Sequence, residues 1–486
     1  MTTRRLQTLA ALAGASLILS ACGGVSGLSS VPRGPQSHRH HGSSVPIQHI
    51  VLIVQENRSF NNLFAGFPGA TSTKTGKELV LQGSKYVQKS IKLKKVALTD
   101  HGNVTHLYAA FLTACDMQGS TCAMDGFDLI KYVRNGKPEG KAPYQYVNPK
   151  AIVPYWTMAE QWGLANAMFQ TQGSDSFTAH QELIRGGTCI TSVTSCETPN
   201  GSTLSLIDPP TSGAVWGCDS PYGATTPVIN IYGQESTGPF PCSNKFPDYV
   251  SGGYETLRDL LDAKSVSWKY YTPTWKNNTP SALWDAFDVI APVRYGPEWT
   301  TNIVSPETTI FSDISGGTLP AMSWVIPSAN NSDHPGYPGQ DTGPSWVASV
   351  VNAIGSSSYW NSTAIIVVWD DWGGFYDPVA PPQRDLQGGP GFRVPMIAIS
   401  PYVQLGSGSQ GGYISNTTYE FASVIRFIED TFSLGRIPGT PDASSNSIGD
   451  MFNFSQSPRG FTTIPSTYKK AYFLHHKPSE LPVDTE

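Results

Sequence analysis

Charge is sparse in this chain. Only 14% of its residues are charged, the net balance is −5, and no basic patch alternates with aromatics. Nucleic acid is therefore a poor partner for it. No Cys-x-x-Cys pair occurs, so a structural zinc site is not expected. No internal repeat is visible, and after Pro46 no linker-like stretch interrupts the chain. Residues 47–486 accordingly read as one folded domain, longer than most. The apolar run Leu6–Leu19 is too short to cross a bilayer comfortably, which takes about 20 residues.

That run instead has the layout of a targeting segment. Arg4 and Arg5 precede it, and it ends in Leu19-Ser20-Ala21-Cys22-Gly23. The ending resembles a bacterial lipobox, in which the cysteine is lipidated and becomes the first mature residue. Residues 1–22 are then a lipoprotein signal peptide, and Cys22 the lipidation site of an exported protein, periplasmic or at the cell surface. A lipid chain at Cys22 tethers a protein to the membrane without inserting it. Residues 23–46 hold Gly, Ser, Pro and His with almost no large apolar side chains, and read as a flexible linker. His38, His40 and His41 belong to that solvated stretch. Beyond Cys22 the cysteines are Cys115, Cys122, Cys189, Cys196, Cys218 and Cys242. An even set in an exported chain suggests up to three disulfides, and the short separations 115/122 and 189/196 suit local bridges.

Several short apolar runs end in polar or ionisable clusters. Ile50–Val54 leads into Gln55-Glu56-Asn57-Arg58, and Met322–Ile326 into a loop with Asn330, Asn331, Asp333 and His334. Ala364–Trp369 leads into Asp370-Asp371, and Met396–Ile399 into Ser400-Pro401-Tyr402. Such runs suit strands buried on both faces. Amphipathic segments at 345–354 and 419–432 suit helices between and beside them. The expected fold is α/β: an α/β/α sandwich on a mainly parallel central sheet, with long loop insertions between about Gly66 and Val250. Ligands of such sheets bind beyond the carboxyl ends of the strands, where these polar clusters gather.

Glu56, Asn57, Asp370 and Asp371 together form an oxygen-rich, anionic set suited to a divalent metal cation. Without a cation, carboxylates brought this close repel one another. A second centre is Gly173-Ser-Asp-Ser-Phe-Thr-Ala-His-Gln181. A hydroxyl at a helix start sits near the positive end of the dipole, a setting that suits attack on a phosphate. Ser174, Ser176 and Thr178 are all candidates on this ground.

The ordered motifs Gln55–Phe64, Ala123–Phe127, Gly173–Gln181, Ser332–Pro335, Trp369–Asp377 and Gly391–Pro395 resemble a family. It is that of bacterial phosphoesterases of the phospholipase C and acid phosphatase AcpA-like type, within the alkaline-phosphatase-like superfamily. The resemblance runs from Val45 to Phe461. It implies a metal held by Glu56, Asn57, Asp370 and Asp371, with the nucleophilic hydroxyl as a further ligand. The family register places that nucleophile at Ser176, with Ser174 in reserve. Asp175 and Thr178 stand where prolines are commoner, and His180-Gln181 where phospholipase C members carry Asn-Arg. Asn61 replaces the commoner aspartate, and Pro378 stands where a histidine often follows Asp377.

Among the histidines, His334 is expected to contact phosphate or protonate the leaving group. His106 resembles the phosphate-contacting histidine of the family, with His101 its competitor. His180, one helical turn from Ser176, is a candidate to face substrate. The implied reaction is hydrolysis of a phosphate ester, of phospholipase C or acid phosphatase type, through a phosphoserine. Phosphomonoester and phosphodiester remain open, as does oligomeric state. The rival is a lipid-tethered protein that binds an anion without turning it over, which needs no hydroxyl beside the metal.

Overall fold

Near-continuous Val and Ile at 50–54 and 364–368 give strands with no polar face, so both must lie inside a sheet covered on two sides. The computed structural model describes residues 45–100, 102–133, 135–211, 216–242, 254–275, 279–280, 284–336, 341–382 and 389–476. The signal segment with Cys22, the linker up to Ser44 with its histidines, and His101 lie outside the described residues. Val45–Glu486 forms one compact unit.

In chain order, the elements that place the site begin with β1 (His49–Gln55), α1 (Phe60–Phe64) and the hairpin β2 (Thr75–Gln82) and β3 (Lys85–Lys92). There follow α2 (Val153–Gln161), β4 (Gly163–Ala165), α3 (Ser176–Arg185), β5 (Trp268–Tyr271), β6 (Ile303–Val304) and β7 (Met322–Val325). The last are α4 (Gly343–Gly355), β8 (Thr363–Trp369), β9 (Met396–Ile399), β10 (Tyr413–Ser415) and α5 (Phe421–Phe432). The main sheet has eight strands in the order β6-β5-β7-β1-β8-β9-β4-β10. All run parallel except β9, which is antiparallel to both neighbours. The expected α/β architecture with a mainly parallel sheet is what forms.

One end was read wrongly from sequence. Because β9 runs backwards, Ser400-Pro401-Tyr402 lies at the edge opposite the one reached by Glu56 and Asp370. The start of β9, just after Gly391–Pro395, faces the site edge instead.

The sheet's two faces are told apart by two tryptophans. Trp324 is level with Leu52, and its indole N–H donates to the Leu183 carbonyl of α3 at 3.0 Å. Trp369 is level with Gln55, and its ring meets Tyr155 of α2 at 4.8 Å. Leu52 and Gln55, three apart in one strand, point to opposite faces. So α3 covers one face with α5 beside it, and α2 covers the other with α4 beside it. Of the insertions, the described part carries short strands and the disulfides Cys115–Cys122, Cys189–Cys196 and Cys218–Cys242.

Two of the sequence motifs meet in a buried ion pair. Asp377 closes the loop after β8, and Arg393 precedes β9. The guanidinium donates to both Asp377 oxygens at 3.1–3.2 Å, and to the carbonyls of Asn166 and Thr71 at 2.8 Å. It also lies over the Phe60 ring at 4.1 Å. Asp377 accepts the Asn61 backbone N–H at 3.0 Å, which ties this loop to α1. Both side chains are fully buried. Asp377→Ala leaves Arg393 charged and uncompensated, and should cost about 3–5 kcal/mol. Urea unfolding monitored by tryptophan fluorescence checks this. Asp377→Asn, which keeps an acceptor, should cost clearly less.

Candidate active site

Period-two alternation aims the first carboxylates. Gln55 points towards α2, so Glu56, the next residue, turns towards α3. Trp369 likewise points towards α2, and Asp370 towards α3. The Asp370 N–H donates to the Gln55 carbonyl at 2.9 Å, which continues the β1–β8 pairing one step past the strand. From α3, His180 Nε2 comes within 3.1 Å of Glu56 Oε1 and 3.6 Å of Asp370 Oδ2. These three ligand atoms all lie within 4.8 Å of one another, and all three residues are buried.

A second half adjoins the first. Asn57 adopts φ +55°, a left-handed conformation that Asn tolerates better than most residues. Its backbone N–H donates to Asp370 Oδ1 at 2.8 Å. Its side-chain amide lies 3.1 Å from Asp371 Oδ2, 3.2 Å from Ser176 Oγ and 2.8 Å from His106 Nε2. The Ser176 hydroxyl donates to Asp371 Oδ2 at 2.9 Å. His106 Nδ1–H donates to the Val104 carbonyl at 2.7 Å, which leaves Nε2 as the acceptor facing Asn57. His106 Nε2 is 3.6 Å from Asp371 Oδ2.

Helix capping decides among the three hydroxyls. Asp175 is the N-cap of α3 and accepts from the Thr178 N–H, so Ser176 is the first helical residue. Ser174 Oγ turns to the Gln172 carbonyl at 3.4 Å. Ser176 is the hydroxyl that reaches Asp371. His180 follows four residues later on the same helical face.

Backbone approach explains the Gly-Gly pair after Trp372. Gly373 has φ +60°, and a Cβ there would lie 2.1 Å from the Asn57 carbonyl oxygen. Gly374 has φ +75°, and its Cβ would lie 2.4 Å from Val104. The Gly373 N–H donates to Asp371 Oδ1 at 2.6 Å. The two glycines thus press the Asp371 loop against the segments that hold Asn57 and His106.

Electrostatics split the adjacent aspartates. Burial alone would raise Asp370, but hydrogen bonding and charge from His180 outweigh it and hold its pKa at about 2. Burial, reinforced by the charge of Asp370, pushes Asp371 up to about 8. Among the described residues, Asp370 and Asp371 have only histidines as ion-pair partners. Asp370 Oδ2 is buried, and among them its nearest donor is His180 Nε2 at 3.6 Å, longer than an ordinary hydrogen bond. Buried carboxylate oxygens of this kind, with an imidazole nitrogen alongside, fit a divalent cation.

The sequence-derived set Glu56, Asn57, Asp370, Asp371 and Ser176 is thus brought together, with His106 and His180. His180, expected to face the site, does so beside Glu56 and Asp370, where it completes a group that could hold a metal ion. The signal was its i+4 spacing from Ser176. Asp333 does not join the carboxylates. Its Oδ2 accepts the Trp369 indole N–H at 3.0 Å, and its carbonyl takes two bonds from Arg58 at 2.6 and 2.8 Å. His334 follows β7, with its ring stacked on Trp284 at 5.9 Å and Nδ1 2.6 Å from the Pro335 carbonyl.

The Phosphoesterase family model matches residues 47–435. The chain belongs to the phosphoesterase family. Within that family it is 23% identical to a non-hemolytic phospholipase C of Pseudomonas aeruginosa over 469 residues, 89% of this chain and 61% of the relative. It is 24% identical to a non-hemolytic phospholipase C of Burkholderia pseudomallei over 493 residues, 89% of this chain and 62% of the relative. The chain thus spans about three-fifths of the length of these relatives. A solved alkaline phosphatase superfamily protein from Vibrio parahaemolyticus aligns over 83% of this chain and 71% of its own, at 10% identity and TM-score 0.34.

If this family member holds its metal here, His180→Ala and Asp370→Asn should each lower bound divalent metal, measured by elemental analysis of purified protein. Gly373→Ala should lower it as well, although it removes no donor atom, because Asn57 must move to admit the methyl group.

Proposed function

We propose that this chain is an exported, metal-dependent phosphoesterase that cleaves phosphate esters, phospholipids among them, through a phosphoserine at Ser176. One observation carries the reading: a helix-start hydroxyl 2.9 Å from a buried carboxylate, next to a Glu/His/Asp group suited to a cation. An anion-binding protein without turnover has no use for that hydroxyl. The phospholipase C relatives support the substrate class, and three disulfides support an exported protein.

The site holds Glu56, Asp370 and His180 as ligand candidates, with Asn57 and Asp371 on the side of the nucleophile. A divalent cation bound there supplies Lewis acidity and lowers the cost of an alkoxide. Ser176 Oγ attacks phosphorus, its proton passing towards Asp371 Oδ2, while the bond from phosphorus to the ester oxygen breaks. His106 or His334, as an imidazolium, protonates the departing alkoxide and offsets charge on the phosphoryl oxygens. Water then cleaves the phosphorus–Oγ bond and frees Ser176. The first turn of α3 adds N–H groups and the positive dipole end beside the phosphate. Positioning and charge stabilisation carry most of the acceleration in such transfers.

Activity is read with p-nitrophenyl phosphate and p-nitrophenylphosphorylcholine, with and without chelator. The chelator should abolish turnover. Ser176→Ala should lower it on the order of 10³-fold or more while the fold persists, and Ser174→Ala should leave it nearly intact. Full activity in Ser176→Ala would refute the covalent route.

The anchor at Cys22 is a separate part of the proposal. Cys22→Ala should move the protein from the membrane fraction to the soluble one with the specific activity unchanged. An unchanged distribution would refute lipidation.

A further inference from the structure

The net charge of −5 conceals a local reversal. Between Lys74 and Lys95 the chain carries Lys74, Lys77, Lys85, Lys89, Lys92, Lys94 and Lys95 against the single acidic residue Glu78. All seven lysines are exposed, and none forms an ion pair with a described residue. Most of them sit on the β2–β3 hairpin, a two-stranded ribbon separate from the main sheet.

Large apolar side chains crown the same ribbon. Leu81 is 58% exposed, Tyr86 55% and Val87 39%. Leu81 and Tyr86 are cross-strand partners on one face of the ribbon, and Val80 and Val87 on the other, so apolar groups occupy both faces of the tip. Lysines on an exposed edge commonly discourage strand-to-strand aggregation. That role does not account for an apolar tip, which works against it. Exposed apolar groups ringed by lysines suit the boundary of a membrane, where the apolar groups enter and the ammonium groups meet lipid phosphates.

The ribbon is fastened to the segment around Asp125 and Asp128 and to Tyr144. Gln88 donates to Asp125 at 2.5 Å, and the Leu79 N–H to Asp128 at 3.1 Å. Tyr144 Oη donates to the Lys77 carbonyl at 2.6 Å. Gly76 packs on Tyr144 and Tyr376, where a Cβ would lie 3.1–3.2 Å from the rings. Tyr376 belongs to the loop that begins with Asp370 and Asp371. An isolated hairpin is marginally stable; these contacts hold this one against the loop that carries the two aspartates.

We propose that the β2–β3 hairpin docks on the surface of an anionic phospholipid bilayer. Leu81, Tyr86 and Val87 enter the headgroup boundary, and the lysines contact lipid phosphates. Docking stands on the hairpin alone. Its use, to bring esters embedded in the bilayer to Ser176, rests on the proposed function.

The test uses the full chain carrying Cys22→Ala, so that no attached lipid contributes. Co-sedimentation is measured with vesicles of phosphatidylcholine, with and without phosphatidylglycerol, beside turnover of p-nitrophenylphosphorylcholine. The parent should bind the anionic vesicles more tightly than the neutral ones, and less at high salt. Lys85→Glu/Lys89→Glu/Lys92→Glu should weaken binding by about 100-fold or more. Leu81→Ser/Tyr86→Ser should weaken it by about tenfold or more. Soluble-ester turnover should stay at the parental level in both. Equal binding to neutral and anionic vesicles, or variants that bind like the parent, would overturn the proposal. Retention on heparin without vesicle binding would overturn it in favour of a polyanionic chain. Vesicle binding without any soluble turnover would leave docking standing and remove the proposed chemistry.

Discussion

Three carboxylates, those of Glu56, Asp370 and Asp371, are buried together at the carboxyl edge of two adjacent central strands. Their mutual repulsion in a dry setting is the constraint to which the surroundings answer. His180 is brought in from α3 to sit beside Glu56 and Asp370. His106 is brought in from a loop beside Asp371. The Gly373–Gly374 turn lets the Asp371 loop close against Asn57 and Val104. A sheet built without this charge would need none of these features.

The alternation rule shows why the cluster falls where it does. Within β1 and β8, opposite residues share a face, so the first residues beyond Gln55 and Trp369 also share one. That much was legible in the apolar runs and the polar residues ending them. The strand at 396–399 was legible as a strand but not in its direction, because a short buried run reads the same both ways. The consequence was local: Ser400 was read to the site edge, where the structure puts the start of the strand, just after Arg393, instead.

The place of His180 beside the carboxylates was hidden for another reason. A helix presents a residue at i+4 to the same side, but sequence does not say which strand end that side meets. The contacts from His180 Nε2 to Glu56 and Asp370 supply this. Asp333 is the opposite case, a residue at a strand end whose carboxylate serves a tryptophan on the other face of the sheet. The lysine-rich hairpin escaped notice because charge was weighed over the whole chain. Its meaning depends on where the ribbon stands, and that depends on Tyr144 and Tyr376, which are distant in sequence.

The pairing of Asp377 with Arg393 has a further consequence for how such a protein can vary. Both ends of the intervening stretch are pinned to each other and to α1. For a loop closed in this way, doubling its length adds only about 0.6 kcal/mol of closure entropy. Insertions and deletions between these two residues are therefore insulated from the carboxylates upstream and from β9 downstream. Length in that stretch is free to drift behind a buried clasp.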